Sequence, residues 1–201
     1  MLSTQIIARG IKNPSVLKAF RQADRHFFVP AEQQKEAYED TPLPIGSGQT
    51  ISQPYIVALM TELLLLQSTD RVLEVGTGCG YQAAILGMLS SEVHSMEIIP
   101  ELASRAELRL LELGHKNIFV HCGDGHRGFP EKAPFDKIIV TAAPPEIPQA
   151  LTTQLKTGGI LVIPVGGGTQ KLLRLTKTET GLQSSEIIPV RFVPMIRESQ
   201  R

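Results

Sequence analysis

Short apolar runs alternate with amphipathic stretches along most of the chain, a pattern typical of strands alternating with helices. The clearest run, 72–75, is bounded by polar residues and glycine, as a buried parallel strand would be. Further strands are predicted at 92–97, 117–121, 135–143, 160–163, 171–177 and 187–193. Helices are predicted at 54–66, 82–89, 100–113 and 146–156. These elements predict an α/β fold with a doubly wound, mostly parallel seven-stranded sheet, whose ligand lies at the carboxyl ends of the strands.

The first 50 residues are predicted to form an N-terminal helical extension that packs on this core. Asn13 and Pro14 are typical of a helix start, and apolar residues follow them at helical spacing. Residues 41–53 contain two prolines and two glycines, which favours a long functional loop without regular structure. We expect one domain, 1–201, because 201 residues are enough for one sizeable core.

Three glycines follow the first predicted strand at alternate positions, Gly76, Gly78 and Gly80. A dinucleotide-binding fingerprint, Gly-x-Gly-x-x-Gly, would need its third glycine at position 81, where this chain has Tyr81. Glu74 precedes the first glycine, and a carboxylate there suits a ligand with a cationic group better than a diphosphate. S-adenosylmethionine has an ammonium, a sulfonium, a ribose and an adenine, and no phosphate. A tight structural turn is the alternative interpretation.

Two more acids are predicted at the ends of neighbouring strands. Glu97 lies 21 residues after Gly76, and an acid about 20 residues past such a turn binds ribose hydroxyls in doubly wound folds. Asp124 stands between Gly123 and Gly125, where it could accept a hydrogen bond from an adenine amino group. The alternatives are a solvated strand-end charge for Glu97 and an ordinary Asp-Gly turn for Asp124.

Composition narrows the choice of partners. The chain has 20 basic and 20 acidic side chains, so no basic excess favours a nucleic-acid partner. Cys79 and Cys122 are the only cysteines and indicate neither a disulfide framework nor a zinc site. The histidines lack metal-ligand spacing, so no metal is expected. We expect a cytoplasmic protein without a signal peptide or membrane span, since the most apolar stretch, 56–66, is short.

Four blocks of the sequence resemble the protein-L-isoaspartate O-methyltransferases: 40–55, 72–81, 123–125 and 135–144. The resemblance extends from about residue 19 to residue 194. The Thr-Ile-Ser-Gln-Pro and Thr-Ala-Ala segments within these blocks are specific to that family rather than to methyltransferases in general.

The resemblance implies a Rossmann-like methyltransferase of the cytoplasm that initiates protein repair. Such an enzyme transfers a methyl group from S-adenosylmethionine to the free α-carboxylate of L-isoaspartyl residues and releases S-adenosyl-L-homocysteine. Its partners are damaged proteins or peptides, with no nucleic acid and no membrane, and we expect a monomer. Tolerance of D-aspartyl residues is left open.

The resemblance also assigns roles to individual positions. Ser52 matches the active-site serine, although from the sequence alone its hydroxyl could simply cap the next helix. The implied cofactor-binding residues are Thr50, Ile51, Gln53, Glu74, Gly76, Thr77, Gly78, Glu97, Asp124 and Gly125. The implied substrate-facing residues are Thr141, Ala142, Ala143, Arg191 and Val193. A polar residue that closes over the cofactor in some members is replaced here by Ile196, so that contact is not expected.

The expected chemistry needs no catalytic base. An α-carboxyl has a pKa of about 3.3–3.7 and is ionised at neutral pH, so its oxygen can attack a sulfonium methyl directly. Ser52 is therefore predicted to orient the carboxylate. Three alternatives stay open: a methyltransferase acting on RNA or a small molecule, a nicotinamide-dependent oxidoreductase, and a binding module that senses the cofactor without catalysis.

Overall fold

The computed structural model describes residues 1–197, and its centre is a seven-stranded sheet with the strand order β5-β4-β3-β6-β7-β8-β9. The nine strands are β1 Leu43–Gly46, β2 Gln49–Ile51, β3 Arg71–Val75, β4 Glu92–Glu97, β5 Ile118–Cys122, β6 Phe135–Val140, β7 Leu155–Val165, β8 Gln170–Thr178 and β9 Gly181–Val190. The α-helices are α1 Pro14–Gln22, α2 Pro54–Leu63, α3 Tyr81–Gly87, α4 Pro100–Glu112 and α5 Gln149–Gln154. Short π- or 3-10-helical turns cover Leu2–Ile6, Ile7–Arg9, Arg25–Phe28, Ala31–Glu36, Gly125–Arg127 and Pro130–Lys132.

The sheet confirms the predicted doubly wound fold. Strands β3 to β7 pair in parallel, whereas β8 and β9 add an antiparallel edge. The chain adds β4 and β5 on one side of β3 and then crosses to add β6 on the other side. The order therefore reverses between β3 and β6, and in open α/β sheets ligands bind beyond the strand ends at such a reversal.

The central parallel strands β3 and β6 are almost entirely buried, which explains their nearly continuous apolar runs. Along β3, Leu73 and Val75 pack into one core cluster and Val72 packs into the cluster on the opposite face. This alternation follows from the two-residue period of a strand. A third cluster joins the N-terminal segment to α2, α3 and α4, so the predicted helical extension packs on the core through apolar contacts.

The prediction of an irregular loop at 41–53 is wrong, because β1 and β2 form an antiparallel hairpin there. The turn residues Ser47 and Gly48 have φ values of 52° and 70°, as expected for a two-residue hairpin turn with both residues left-handed. Pro44 is tolerated because a two-stranded sheet leaves one edge of each strand unpaired.

Several predicted boundaries also shift. The helix predicted at 146–156 is only Gln149–Gln154, and β7 begins at Leu155 because that residue pairs with Phe135. The helix predicted at 54–66 ends at Leu63, whose carbonyl accepts a 3.0 Å hydrogen bond from Arg174 Nε.

The strand predicted at 135–143 ends at Val140, and the one predicted at 187–193 is Gly181–Val190. The first half of β9 is mostly polar, so the hydrophobic pattern did not predict it as a strand. It is a strand because it pairs with β8. No helix within residues 1–197 is both long and apolar enough to span a bilayer. Residues 198–201 of the predicted domain lie outside the described residues.

We expect Gly48→Ala to destabilise the protein by about 1 kcal/mol, because a left-handed φ penalises a side chain even in open space. Gly167 is the matched control: a Cβ there also meets nothing within 4 Å, and its φ is outside the left-handed range. Denaturant unfolding of both variants measures the difference. Equal stabilities for Gly48→Ala and Gly167→Ala would contradict the turn assignment.

Candidate active site

Three neighbouring cavities meet at the carboxyl ends of β3, β4 and β6. A narrow cleft of about 60 Å³ runs between the glycine turn and the hairpin. A wider groove of about 820 Å³ lies beside it along the segment after β9. A small inner pocket of about 40 Å³ lies behind both. Thr50 and Thr141 line all three cavities, so the cleft, the groove and the pocket form one continuous site.

The glycine turn follows β3 and forms the floor of the cleft. Gly76 has a φ of 101°, and a Cβ built there would lie 2.3 Å from Thr141 Oγ1. The Thr141 hydroxyl instead donates a 2.6 Å hydrogen bond to the Gly76 carbonyl. Glycine is therefore required at this position by both the backbone conformation and the close approach of Thr141.

Glu97, the last residue of β4, lines the cleft. Its Oε2 accepts a 2.7 Å hydrogen bond from the Gly78 amide, and its Oε1 accepts a 3.0 Å bond from the Ile99 amide. One carboxylate thus ties the glycine turn to the loop that precedes α4. Each oxygen retains a lone pair, so the group could still accept hydrogen bonds from a diol.

Glu74 lies outside the three cavities, although it was predicted to contact the cofactor. It is fully buried, and its Oε2 accepts a hydrogen bond from the hydroxyl of Ser95, its partner in the β3–β4 register. The Ser95 hydroxyl is 2.5 Å from the hydroxyl of Thr77, so Glu74 reaches the glycine turn only through two hydroxyls.

The environment of Glu74 favours its protonated form. Burial raises the pKa of this carboxyl from 4.5 to about 8, and the nearby negative charge of Glu97 acts in the same direction, against the hydrogen bond from Ser95. Its Oε1 has no hydrogen-bond partner within residues 1–197. A neutral carboxylic acid under the turn is physically consistent with that missing partner, since an unpaired buried charge would be far more costly.

At the end of β5 the structure separates the two predicted adenine-site residues. Gly125 lines the cleft, and a Cβ there would lie 2.3 Å from Val75 Cγ1. Asp124 is absent from the cavity linings, and its Oδ1 accepts hydrogen bonds from the amide of His126 at 2.9 Å and from its ring at 3.0 Å. Asp124 therefore caps the short helical turn that holds Gly125 against the cleft.

The other predicted site residues are distributed over the three cavities. The predicted catalytic residue Ser52 lines the groove, together with the predicted substrate residues Arg191 and Val193. Of the predicted cofactor residues, Gln53 lines the groove, whereas Ile51 and Thr77 line the inner pocket. Thr141 and Ala142 line the cleft. Ala143 lines none of the cavities, because it forms a short main-chain bridge in which its amide donates to Val193 and its carbonyl accepts from Met195.

The Ser52 hydroxyl makes no hydrogen bond with any residue in the described part of the chain, whereas its carbonyl accepts one from Arg25 Nη2 at 2.7 Å. Gln53 donates through its amide to the carbonyl of Asp40 at 2.9 Å, which fixes the chain just before α2. The serine hydroxyl is therefore available in the groove without a base beside it, and no catalytic triad is present among residues 1–197.

Comparison with known proteins identifies the family. Residues 1–200 match the family described as protein-L-isoaspartate(D-aspartate) O-methyltransferase. A protein-L-isoaspartate O-methyltransferase of a Picosynechococcus species is 55% identical over 97% of this chain and 88% of its own length.

This chain belongs to the protein-L-isoaspartate O-methyltransferase family.

Solved structures agree with the assignment. One protein-L-isoaspartate O-methyltransferase superposes with a TM-score of 0.88 at 30% identity, over 96% of this chain and 65% of its own length. A Plasmodium falciparum protein described as a member of this family, in complex with S-adenosyl-L-homocysteine, superposes with a TM-score of 0.85 at 26% identity. It covers 98% of this chain and 97% of its own length.

Members of this family are S-adenosylmethionine-dependent methyltransferases, so the predicted enzyme class, function and cofactor are confirmed. The residues of the cleft suit this cofactor: an acid at the end of β4, glycines that keep the floor open, and apolar side chains beside them. Within residues 1–197, no group of three or more His, Cys, Asp or Glu side chains is arranged to hold a metal ion.

Sequence reasoning missed several cleft residues that carry no polar chemistry. Met96, Ile98, Ile99 and Met195 line the cleft. Only their position in the sequence could have identified them, since the first three lie next to Glu97 at the end of β4. Ile196, which was not expected to make a polar contact with the cofactor, also lines the cleft and adds an apolar side chain to its wall.

We expect Glu74→Gln to gain stability relative to the native protein as the pH rises. The folded pKa of about 8 exceeds the unfolded value. The contribution of Glu74 to stability is therefore complete below about pH 4 and is lost as the pH rises towards 8. Glutamine cannot ionise, so between pH 5 and 8.5 its free energy of unfolding should rise over that of the native chain by on the order of 3 kcal/mol.

Denaturant unfolding at the two pH values measures this difference. The same substitution at an exposed position of α4, Glu107→Gln, is measured in parallel as the control. A constant difference between Glu74→Gln and the native chain would mean that Glu74 is ionised throughout this range.

Proposed function

We propose that this enzyme methylates the free α-carboxylate of L-isoaspartyl residues at the junction of the cleft and the groove. The observation that carries this proposal is the sharing of Thr50 and Thr141 by both cavities. The cleft has the acid and the glycine floor expected of a nucleoside site, and the groove is large enough for a peptide segment. Methyl transfer between the two requires such a junction, since the donor and acceptor must meet within about 3–3.5 Å.

The cofactor half of the site is the cleft. Glu97 binds the ribose hydroxyls, and Gly125 allows the adenine to approach the end of β5 while Asp124 holds the turn in place. Gly76 and Gly78 line the cleft without side chains, so the amino-acid part of the cofactor can approach the main chain closely. Glu74 supports this turn from below through Ser95 and Thr77, rather than contacting the cofactor directly.

The substrate half is the groove beside Ser52. Thr50, Ile51 and Gln53 lie at the boundary between the two halves, and Thr141 and Val193 form the facing wall. Arg191 is exposed on the groove and forms no ion pair with the rest of residues 1–197, so it can attract an anionic peptide. The attraction would be modest in magnitude because the guanidinium is solvated.

The chemistry follows from the state of the acceptor. The substrate carboxylate is already ionised at neutral pH, so no residue needs to remove a proton. Bound S-adenosylmethionine supplies a methyl group activated by its sulfonium. The Ser52 hydroxyl, which has no partner within the described chain, donates a hydrogen bond to the carboxylate and aligns it. The apolar walls of the cleft exclude water, and exclusion of water favours attack by an anionic oxygen.

We also propose that the enzyme works as a monomer in the cytoplasm and does not bind nucleic acid. The balanced charge supports the absence of a nucleic-acid partner. Both cysteines are free thiols, as expected in a reducing compartment.

The decisive experiment is methyl-ester formation on an isoaspartyl peptide, with the same peptide containing normal aspartate as the control. We expect labelled methyl transfer from S-adenosylmethionine to the isoaspartyl peptide only. A D-aspartyl peptide tests the wider substrate range, and an RNA arm tests the competing class. Equal labelling of the isoaspartyl and aspartyl peptides, or labelling of RNA alone, would refute the proposal.

We expect Ser52→Ala to lower kcat by about 10- to 100-fold and to leave the affinity for S-adenosyl-L-homocysteine nearly unchanged. A hydrogen bond to a charged group contributes about 1.5–3 kcal/mol, and about 1.4 kcal/mol corresponds to a factor of ten in rate. Steady-state kinetics and calorimetric titration measure the two quantities. Ser104→Ala on the exposed face of α4 is the control and should behave like the native enzyme. Native turnover in Ser52→Ala would exclude the aligning role.

A further inference from the structure

Arg25 is a fully buried cation outside the cavities described above. It lies in the short helical turn Arg25–Phe28, and its side chain is 0% exposed. Burying a guanidinium is unfavourable unless its donors are satisfied. No carboxylate of residues 1–197 forms an ion pair with it, and burial lowers its pKa. Hydrogen bonds and an aromatic ring must therefore hold the group in place.

The contacts of Arg25 join three separate segments. Its Nε donates a 2.7 Å hydrogen bond to the carbonyl of Ala37, and its Nη2 donates a 2.7 Å bond to the carbonyl of Ser52. The guanidinium carbon lies 5.0 Å from the ring centroid of Tyr81. The N-terminal segment, the connection that carries Ser52 and the helix after the glycine turn thus meet at one side chain.

Tyr81 provides a rigid surface for this contact. It is the first residue of α3, directly after Gly80, and its ring is 1% exposed. Phe28 packs against it with centroids 5.2 Å apart, and Phe20 does so at 6.1 Å, both in edge-to-face arrangements. The position of the Tyr81 ring is therefore coupled to the glycine turn.

The same contacts leave polar atoms unsatisfied. Arg25 Nη1 and the Tyr81 hydroxyl have no hydrogen-bond partner among residues 1–197. Each such atom is destabilising, and apolar residues of similar size would often pack as well or better. Packing alone therefore does not explain why an arginine is present at this position. A role in orienting the Ser52 carbonyl does explain it.

Ser52 is the group that needs such orientation. Strand β2 ends at Ile51 and α2 begins at Pro54, so Ser52 lies in a connection without ladder hydrogen bonds. No side chain of the described chain holds its hydroxyl. The direction of that hydroxyl consequently depends on the main chain, and Arg25 is the side chain that binds the main chain at this residue.

We propose that Arg25 is a positioning residue for methyl transfer: it holds the Ser52 carbonyl next to the Tyr81 ring and so sets the position of the Ser52 hydroxyl relative to the glycine turn. This inference rests on the aligning role proposed for Ser52. Arg25 touches neither the cofactor cleft nor the groove, so it acts through Ser52 rather than on the substrate.

Arg25→Lys tests the proposal because lysine keeps the charge and loses the planar fork that reaches two carbonyls. We expect kcat per cofactor-binding site to fall about tenfold or more, since small misplacements of aligned groups have large effects on rate. The dissociation constant for S-adenosyl-L-homocysteine should change less than about threefold. Arg21→Lys at the exposed end of α1 is the matched control and should retain native kinetics.

Counting active sites by calorimetric titration with S-adenosyl-L-homocysteine separates positioning from simple loss of folded protein. If Arg25 were only structural, fewer sites would bind, and each remaining site would turn over at the native rate. Arg25→Gln, which keeps two hydrogen-bond donors without the charge, is measured in parallel. The proposal can then still be tested if Arg25→Lys folds poorly. Native turnover per site in either variant overturns the proposal.

A double-mutant cycle tests whether Arg25 acts through Ser52. In a Ser52→Ala background, Arg25→Lys should lower kcat by less than about twofold, because the hydroxyl that it positions is gone. A full independent loss in that background would show that Arg25 acts by another route and would reject the proposal. Native turnover of Ser52→Ala alone would instead reject the role of Ser52, which distinguishes the two failures.

Discussion

The close approach of β6 to the glycine turn is the constraint on which the rest of the site depends. Thr141 follows β6, and its amide and hydroxyl both bond to the end of β3, at Val75 and Gly76. A single Cβ at Gly76 would remove the space that the Thr141 hydroxyl occupies. Because Thr141 lines the cleft, the groove and the inner pocket, its contact with the turn sets the distance between the two halves of the site.

Two acids of similar sequence context take different roles because their surroundings differ. Glu97 ends its strand, where main-chain amides of Gly78 and Ile99 satisfy it and the cleft keeps it accessible. Glu74 lies one residue short of the end of its strand, inside the sheet, where burial favours its neutral form. The first acid can bind a ligand, whereas the second supports the turn through Ser95 and Thr77.

The N-terminal segment and the hairpin supply the other side of the site. The hairpin brings Gln49 and Thr50 over the cleft, and Ile45 packs close to the position that a Cβ of Gly78 would take. The buried Arg25 ties the Ser52 connection to the same region. The walls of the cleft and the groove are thus supplied by elements that are distant in the chain.

The sequence by itself determined the sheet, the glycine turn and the family. The apolar runs of β3 and β6 were strong because both faces of a parallel sheet are buried, and Gly76 was informative because its backbone conformation disfavours other residues. Local signals failed at the hairpin, where the Ser47–Gly48 turn decides the structure against two nearby prolines. They also failed in β9, whose polar half depends on pairing with β8.

Only the tertiary structure decided which of the predicted residues border the cavities. Glu74 and Asp124 carry the right chemistry in the sequence but lie beside the cleft rather than in its lining. Arg25 carries no sequence signal at all, because its meaning depends on Ser52 and Tyr81, which approach it only after folding. A residue type fixes what chemistry is available, whereas burial and distance between remote segments decide whether that chemistry reaches a ligand.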